Sequence, residues 1–507
     1  MKVLRRTSQA TCLVWCLISS GIIISGCGDA KPSRSEASNS TVQSETRPPN
    51  TPVESDDQYE PVVPPQELTP ATPPVFEPVT PPVAATNFRR ADTRPVRDAA
   101  ELASVGIHQY ESKHLLLYTD IPAEIASRLP AFVDALYLEW ERYFSPLPPD
   151  RDGQPFQMTG YLMKDRDLFR QMGLLPDDLP QFLNGRHRDR EFWMNEQEFD
   201  YYRRHLLLHE ATHCFMSVRR NNNLLPPVWY MEGMAEYFAT HTVDADGKTV
   251  FGVMPHNKDD FAGLGRIPLI QQSIENGVYL NLGDVLELTP NDFLKNEAYA
   301  WSWALCYWLD HHPEYFARFQ ELGRTRSRPE FQNQFEKVFQ SDVDDMTMGW
   351  GLFVNGLMEG YDVPRASVVE TPAEPLPTAG QASIPVRADR GWQATGVEVK
   401  RGVSYDIRAS GQVTLAQEPK PWVSEPGGIT FDYFDGLPLG QLLLAVRDDT
   451  AGLQGRADRL LHPLPMGHEA AFMAPVDGTI YLRVNDRWNR LGDNSGHYLV
   501  NIREITE

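Results

Sequence analysis

Apolar positions in this chain change their period from one third of the sequence to the next, and each period predicts a different kind of element. Leu115-Leu116-Leu117-Tyr118 and Phe156 to Tyr161 are short apolar runs of strand length. Between them Leu129, Phe132, Val133, Leu136 and Tyr137 recur at helical spacing, which predicts a helix over 123–144 with one apolar side. Phe192-Trp193-Met194-Asn195 predicts a strand at the substrate edge of the sheet, just before a helix over 199–218. Pro226 and Pro227 then mark the start of another helix, because proline is tolerated only in a helix's first turn. Helices fill 292–357, where Trp301, Trp303, Leu305, Tyr307, Trp308 and Leu309 make one of them apolar nearly all round. Beyond residue 384 the period falls to two. Val397-Glu398-Val399, Tyr405-Asp406-Ile407, Thr479 to Val484 and Gly496 to Ile502 alternate as half-buried strands do, with glycine turns between. The fold class expected is α+β, a mostly helical body followed by an all-β sandwich.

Proline content sets the boundaries. Residues 29–86 hold thirteen prolines among Ser, Thr, Glu and Val. Such a stretch buries too little apolar surface to offset its ordering entropy, so 28–99 is read as an extended tether. A second break at Thr371 to Gly380 places a linker over 363–383. The folded bodies expected are 100–362 and 384–507, each large enough for its own core.

Lys2, Arg5 and Arg6 precede an apolar run from Cys12 to Ile24, a basic segment and a short hydrophobic one that suit an export signal rather than a membrane span. Ile24-Ser25-Gly26-Cys27 resembles the bacterial lipobox. That resemblance implies a signal peptide over 1–27, a lipid on Cys27, and a protein held at the bacterial cell envelope outside the cytoplasm, on the periplasmic or outer face. The formal net charge of −22 argues against nucleic acid or an anionic membrane surface as a main partner. With Cys12, Cys16 and Cys27 spent, Cys214 and Cys306 remain, either as two buried thiols or, in an oxidising compartment, as a disulfide.

The chemistry centres on His209-Glu210-Ala211-Thr212-His213. Residues four apart share a helix face, so both histidines can reach one zinc ion while Glu210 handles a water at the adjoining edge. His205 lies one turn earlier, but His205 and His213 span about 12 Å of helix axis, too far to share an ion. Eighteen residues separate His213 from Glu232, which lies within Trp229-Tyr230-Met231-Glu232-Gly233. This spacing and context resemble the gluzincin metallopeptidases. The wider stretch, with Glu232 to Tyr237 and Tyr299 to Ala304, resembles a bacterial peptidase-MA-like family of unknown function. The resemblance implies His209, His213 and Glu232 as zinc ligands, Glu210 as general base and Tyr299 as the group steadying an oxyanion. Ser302 stands where the pattern usually has glycine. Glu236, one turn beyond Glu232, would accept a hydrogen bond from a ligand histidine. Met216 and Arg219 exclude the metzincin alternative, and no Gly-x-Met-x-Asn strand is present to hold a free amino terminus, so internal cleavage is expected.

A second resemblance lies near the C-terminus. Val484-Asn485-Asp486, then Gly492-Asp493-Asn494-Ser495-Gly496 and the last strand, are similar to the calcium-dependent galactose-binding lectin of bacteria. It implies calcium held by side chains of Asp486, Asp493 and Asn494 and by backbone carbonyls of Arg490 and Leu415, with glycans as partners. Arg487, Trp488 and Arg490 replace small residues there, and Trp488 is open to two roles, stacking on a sugar or covering core. Two functions follow as expectations. One is a membrane-tethered zinc endopeptidase acting on peptide or protein substrates, with a glycan-binding module. The other is a non-catalytic adhesion lipoprotein that keeps a zinc-peptidase scaffold.

Overall fold

In the computed structural model of the chain, residues 88–220, 226–324, 328–376, 380–450, 452 and 455–505 are described. Cys27, the signal segment and the tether up to residue 87 lie outside them. The described residues belong to one compact unit with a mixed helix-and-sheet composition. Among them no helix is long and apolar enough to cross a membrane.

The first body opens on a five-stranded sheet in the order His108–Glu111, Leu115–Thr119, Met158–Met163, Glu191–Asn195, Gly185–Arg188. The three inner strands run parallel, and each outer strand is antiparallel to its neighbour. The expected helix over 123–144 is two pieces, Ala123–Ala126 and Leu129–Phe144. Leu129, Val133, Leu136, Tyr137, Trp140 and Phe144 bury the second against the sheet and the helix Asp200–Arg220. Phe192 to Asn195 forms an interior strand, not the edge expected of it, and the edge of the sheet on that side is Gly185–Arg188. The tether is shorter than its composition suggests. Arg89 is buried, pairs with Asp150 at 3.3 Å and bonds the Gln154 carbonyl, which ties residues 88–99 to the folded body.

Two large sheets and the hairpin Ile429–Phe434/Leu437–Leu439 make the second body. One runs Leu464–Pro465, Leu442–Asp448, Gly478–Val484, Gln393–Val399, Glu374–Pro375. The other runs Val423–Ser424, Val413–Thr414, Ser495–Glu504, Ser404–Ser410, Glu469–Met473, with Gln381–Arg387 also on the long strand Ser495–Glu504. Val397, Leu442, Ile480 and Leu482 of the first sheet meet Ile407, Tyr498, Val500 and Ile502 of the second in a shared interior. The stretch read as linker is structured: it holds the helix Val363–Ala366 and the strand Glu374–Pro375, which pairs with Gln393–Val399.

The two bodies do not keep separate cores. Trp392, Ala394, Leu443, Ala445, Tyr481, Trp488 and Leu491 of the sandwich belong to the same buried cluster as Trp350, Phe353 and Tyr361 of the helical body. Every residue of Gly478–Val484 is buried, so this strand is covered on both faces instead of half-buried.

Candidate metal centre

Two helices bring the site together. Asp200–Arg220 carries His205, His209, Glu210 and His213, and Val228–Ala239 carries Glu232 and Glu236. Pro227 caps the second helix with φ −54° and ψ 148°, extended geometry that starts the helix at Val228. Gly233, next to Glu232, has no side chain and so lets this second helix pack closely against the helix Asn296–His311. His209 and His213, one turn apart, turn their Nε2 atoms to within 3.1 Å of each other. Glu232 Oε2 lies 3.1 Å from His213 Nε2 and 3.4 Å from His209 Nε2. Three lone-pair donors therefore converge on one point, all from residues that are buried or nearly so. Two imidazole nitrogens aimed at each other cannot both carry a proton, and a divalent cation satisfies all three at once. The donor set, two imidazoles and one carboxylate, leaves room for a fourth ligand and fits zinc.

The electrostatics describe a cluster whose carboxylates draw positive charge. Burial works against a charged His209, but the Glu232 and Glu236 carboxylates outweigh it and lift its pKa to about 10. Burial alone would raise Glu232, yet His213 and His209 hold it well below the usual carboxylate range. Burial keeps His213 low.

Glu236 is a buried acid with three partners. Arg266 Nε and Nη2 each donate to one of its oxygens at 2.8 Å, and His205 Nε2 lies 3.0 Å from Oε2. His209 Nδ1 sits 3.2 Å from Oε1, near enough to pair as ions, though out of line for a hydrogen bond. His205, His209 and Glu236 also cluster as a metal set would, but the guanidinium already fills both oxygens of Glu236, so that set reads as support. His205 is accordingly held by Glu236 through Nε2, while its buried Nδ1 has no hydrogen-bond partner among the described residues.

Glu210 is buried, and its Oε2 has no hydrogen-bond partner. Tyr299, on the helix Asn296–His311, brings its ring to 6.1 Å from His209, and burial together with Glu232, Glu210 and Glu236 keeps its hydroxyl protonated. Arg266 lies over the same ring at 5.9 Å. One residue escaped the reading of the sequence. His187, on the edge strand, stacks on His213 with ring centroids 4.4 Å apart and has Nδ1 3.6 Å from Glu210 Oε2. Its neighbour on that face, Gly185, packs its Cα against the Glu210 carboxylate. The alternation of 185 and 187 was the available signal, but only the strand's register over the helix gives it meaning.

No family model matches this chain, and no curated protein does. Among solved structures it is similar to one described as "EclA N-terminal domain; PllA-like lectin", with 23% identity over 24% of this chain and 95% of that one, at a TM-score of 0.19. It is also similar to IMPa from Pseudomonas aeruginosa, solved in complex with an O-glycopeptide, with 11% identity and a TM-score of 0.13. That likeness covers 49% of this chain, which spans 24% of the length of IMPa. At these scores neither likeness carries an argument about fold or chemistry.

The calcium residues are brought together in part. Asn494 Nδ2 donates to Asp486 Oδ2 at 2.9 Å, and both side chains are buried. Asn494 Oδ1 has no partner. Burial, aided by the charge of Asp493, pushes the Asp486 carboxyl up to about 6. Asp493 itself is exposed on the turn Leu491–Asp493. Among the described residues no hydrogen bond or ion pair joins Leu415 or Arg490 to the Asp486–Asn494 pair. Trp488 covers core: it is 7% exposed, stacks at 5.9 Å on Tyr361 and packs against Gly356, so it does not offer its face to a sugar. Cys214 and Cys306 are both buried and free.

Proposed function

We propose that this chain is a zinc endopeptidase of the bacterial cell envelope, anchored through Cys27. The observation that supports it most is the convergence of His209, His213 and Glu232 beside Glu210, whose Oε2 accepts no hydrogen bond among the described residues, beneath a free strand edge. Zinc held by those three residues would supply Lewis acidity and a water of lowered pKa. The edge strand Gly185–Arg188 would take an extended peptide as its next strand. Glu210 would accept the water's proton and return it to the leaving amine. Tyr299, its hydroxyl protonated, would donate to the carbonyl oxygen as negative charge develops there. An intact Glu210 favours an enzyme over an inherited scaffold, because a scaffold needs its metal ligands and has no use for that acid.

Elemental analysis of the purified protein beside His213→Ala is the test. One zinc per chain, lost in the variant, is expected. Glu210→Gln should keep zinc and lower cleavage of a peptide library by roughly 10²–10⁴-fold. No zinc after supplementation refutes the enzyme, and cleavage surviving in zinc-loaded Glu210→Gln removes Glu210 from the mechanism.

The second reading, a glycan-binding adhesion lipoprotein, draws on the 486–494 loop. Asp486 is a buried carboxylate with no cation at ion-pair distance, beside an orphaned Asn494 oxygen, and calcium would satisfy both. Calcium measured in the same sample and lost in Asp486→Asn supports that module, and calcium absent from wild type refutes it.

A further inference from the structure

We propose that a cavity between the helical body and the sandwich binds a small organic carboxylate through Arg483. The inference is independent of the zinc reading.

Arg483 lies on Gly478–Val484, on the face that turns from the sandwich interior toward the helices, and is 5% exposed. Its Nη2 donates to Asn485 Oδ1 at 3.3 Å and to the Asp486 carbonyl at 3.0 Å. Nε and Nη1 make no hydrogen bond among the described residues, and neither is sealed into protein. Arg483 lines a cavity of 370 Å³ together with Trp392, Trp488, Asn485, Asn355 and His462. Among the described residues no carboxylate forms an ion pair with Arg483, although Asp435 borders the same cavity. What the protein supplies instead is aromatic: the guanidinium sits 3.9 Å from the Trp488 centroid and 5.6 Å from that of Trp392.

A buried cation without an anion is costly, and indole faces recover only part of that cost. A carboxylate entering the cavity would accept from the free donors in a charge-assisted bond, in a site where few water molecules compete. The cavity is of a size for a molecule of one ring, with apolar walls for its body and Asn355 and His462 for its polar edge.

Tryptophan fluorescence reads the site directly, because two indoles line it. Purified protein is titrated with glucuronate, with benzoate and with glucose as the uncharged control. A saturable change with at least one carboxylate and none with glucose is expected, and the acid that responds tells whether the walls prefer a sugar or an aromatic body. Arg483→Gln should weaken binding by roughly tenfold or more. Asn355 is exposed at the cavity mouth, so Asn355→Trp should block entry without disturbing the core and decides the matter if Arg483→Gln fails to fold. Asp435→Asn should tighten binding by removing a neighbouring charge. The proposal is overturned by no saturable response to either acid, by an equal response to glucose, or by binding that survives Arg483→Gln or Asn355→Trp.

Discussion

Single residues decide whether the proposed zinc site can work, and Gly185 is the sharpest case. A Cβ there would sit less than 3.0 Å from the Glu210 carboxylate, which is the far end of a flexible side chain and can swing away. Gly185→Ala should therefore leave stability within about 0.5 kcal/mol while moving the general base off its water. Zinc content unchanged with cleavage down tenfold or more is the expected pair of results, a fall consistent with the roughly 10²–10⁴-fold that general-base catalysis contributes. Equal cleavage would show that Glu210 does not need its present position. His209, His213 and Glu232 were legible in the sequence because helical spacing alone puts two of them on one face. Glu236 was legible only as a residue one turn on, since its buried pairing with Arg266 joins positions thirty residues apart. His187 was not legible at all, because nothing local says which strand will lie over a helix.

At the scale of elements, helix crossings and helix ends carry the load. The Glu232 helix meets the Tyr299 helix at Gly233, where a Cβ would lie 2.5 Å from the Ser302 carbonyl oxygen and 2.6 Å from Cys306 Sγ. A backbone oxygen cannot step aside as a carboxylate can, so Gly233→Ala should force the helices apart. Overpacking of this kind costs about 1–3 kcal/mol, and zinc affinity should fall with it because Glu232 moves with its helix. Urea denaturation beside a zinc titration checks both, and an unchanged midpoint would mean the crossing has slack. The end of the Tyr299 helix makes a pH prediction. His312 caps it, buried between Trp308 and Tyr315, and burial lowers its pKa from 6.5 to about 3. A base with a depressed folded pKa binds fewer protons folded than unfolded, so its contribution is whole above pH 6.5 and is lost as pH falls toward 3. The slope should approach 1.4 kcal/mol per pH unit at most, about that of one group. His312→Asn keeps an acceptor for the Glu314 amide and should flatten the slope. The element pattern was readable for strands and for the zinc helix, whose periods are local. The edge strand was misread because the apolar run at 192–195 marks burial on both sides, which is an interior position.

Among the described residues the helical body and the sandwich share one core, for a reason visible in one strand. Ile480, Leu482 and Val484 enter the sandwich interior, while Tyr481 on the opposite face joins the core of the helical body. Alternation along the sequence suggested a half-buried strand because Thr479, Tyr481 and Arg483 are polar enough to face water. Each instead finds a partner across the seam or beside it: Thr479 donates to Asp449, Tyr481 donates to Glu370 at 2.6 Å, and Arg483 stacks on Trp488. Polar residues chosen for a seam look the same, in one dimension, as polar residues chosen for solvent. A shared core predicts shared unfolding. Calorimetry of the protein should give a single transition spanning helices and sandwich, because separating the bodies exposes Trp392, Tyr481 and Trp488 together. Trp488 is the keystone to remove. Its ring meets Tyr361, Gly356 and Arg483, so Trp488→Ala empties the seam and strips the guanidinium of its nearest aromatic face. A loss of about 3–5 kcal/mol is expected, as for other large aromatic truncations in a core. The variant should still unfold in one step, at lower temperature, since Trp392, Leu443 and Tyr481 keep the seam closed. Two separated transitions in the wild-type protein would show instead that each body folds on its own core.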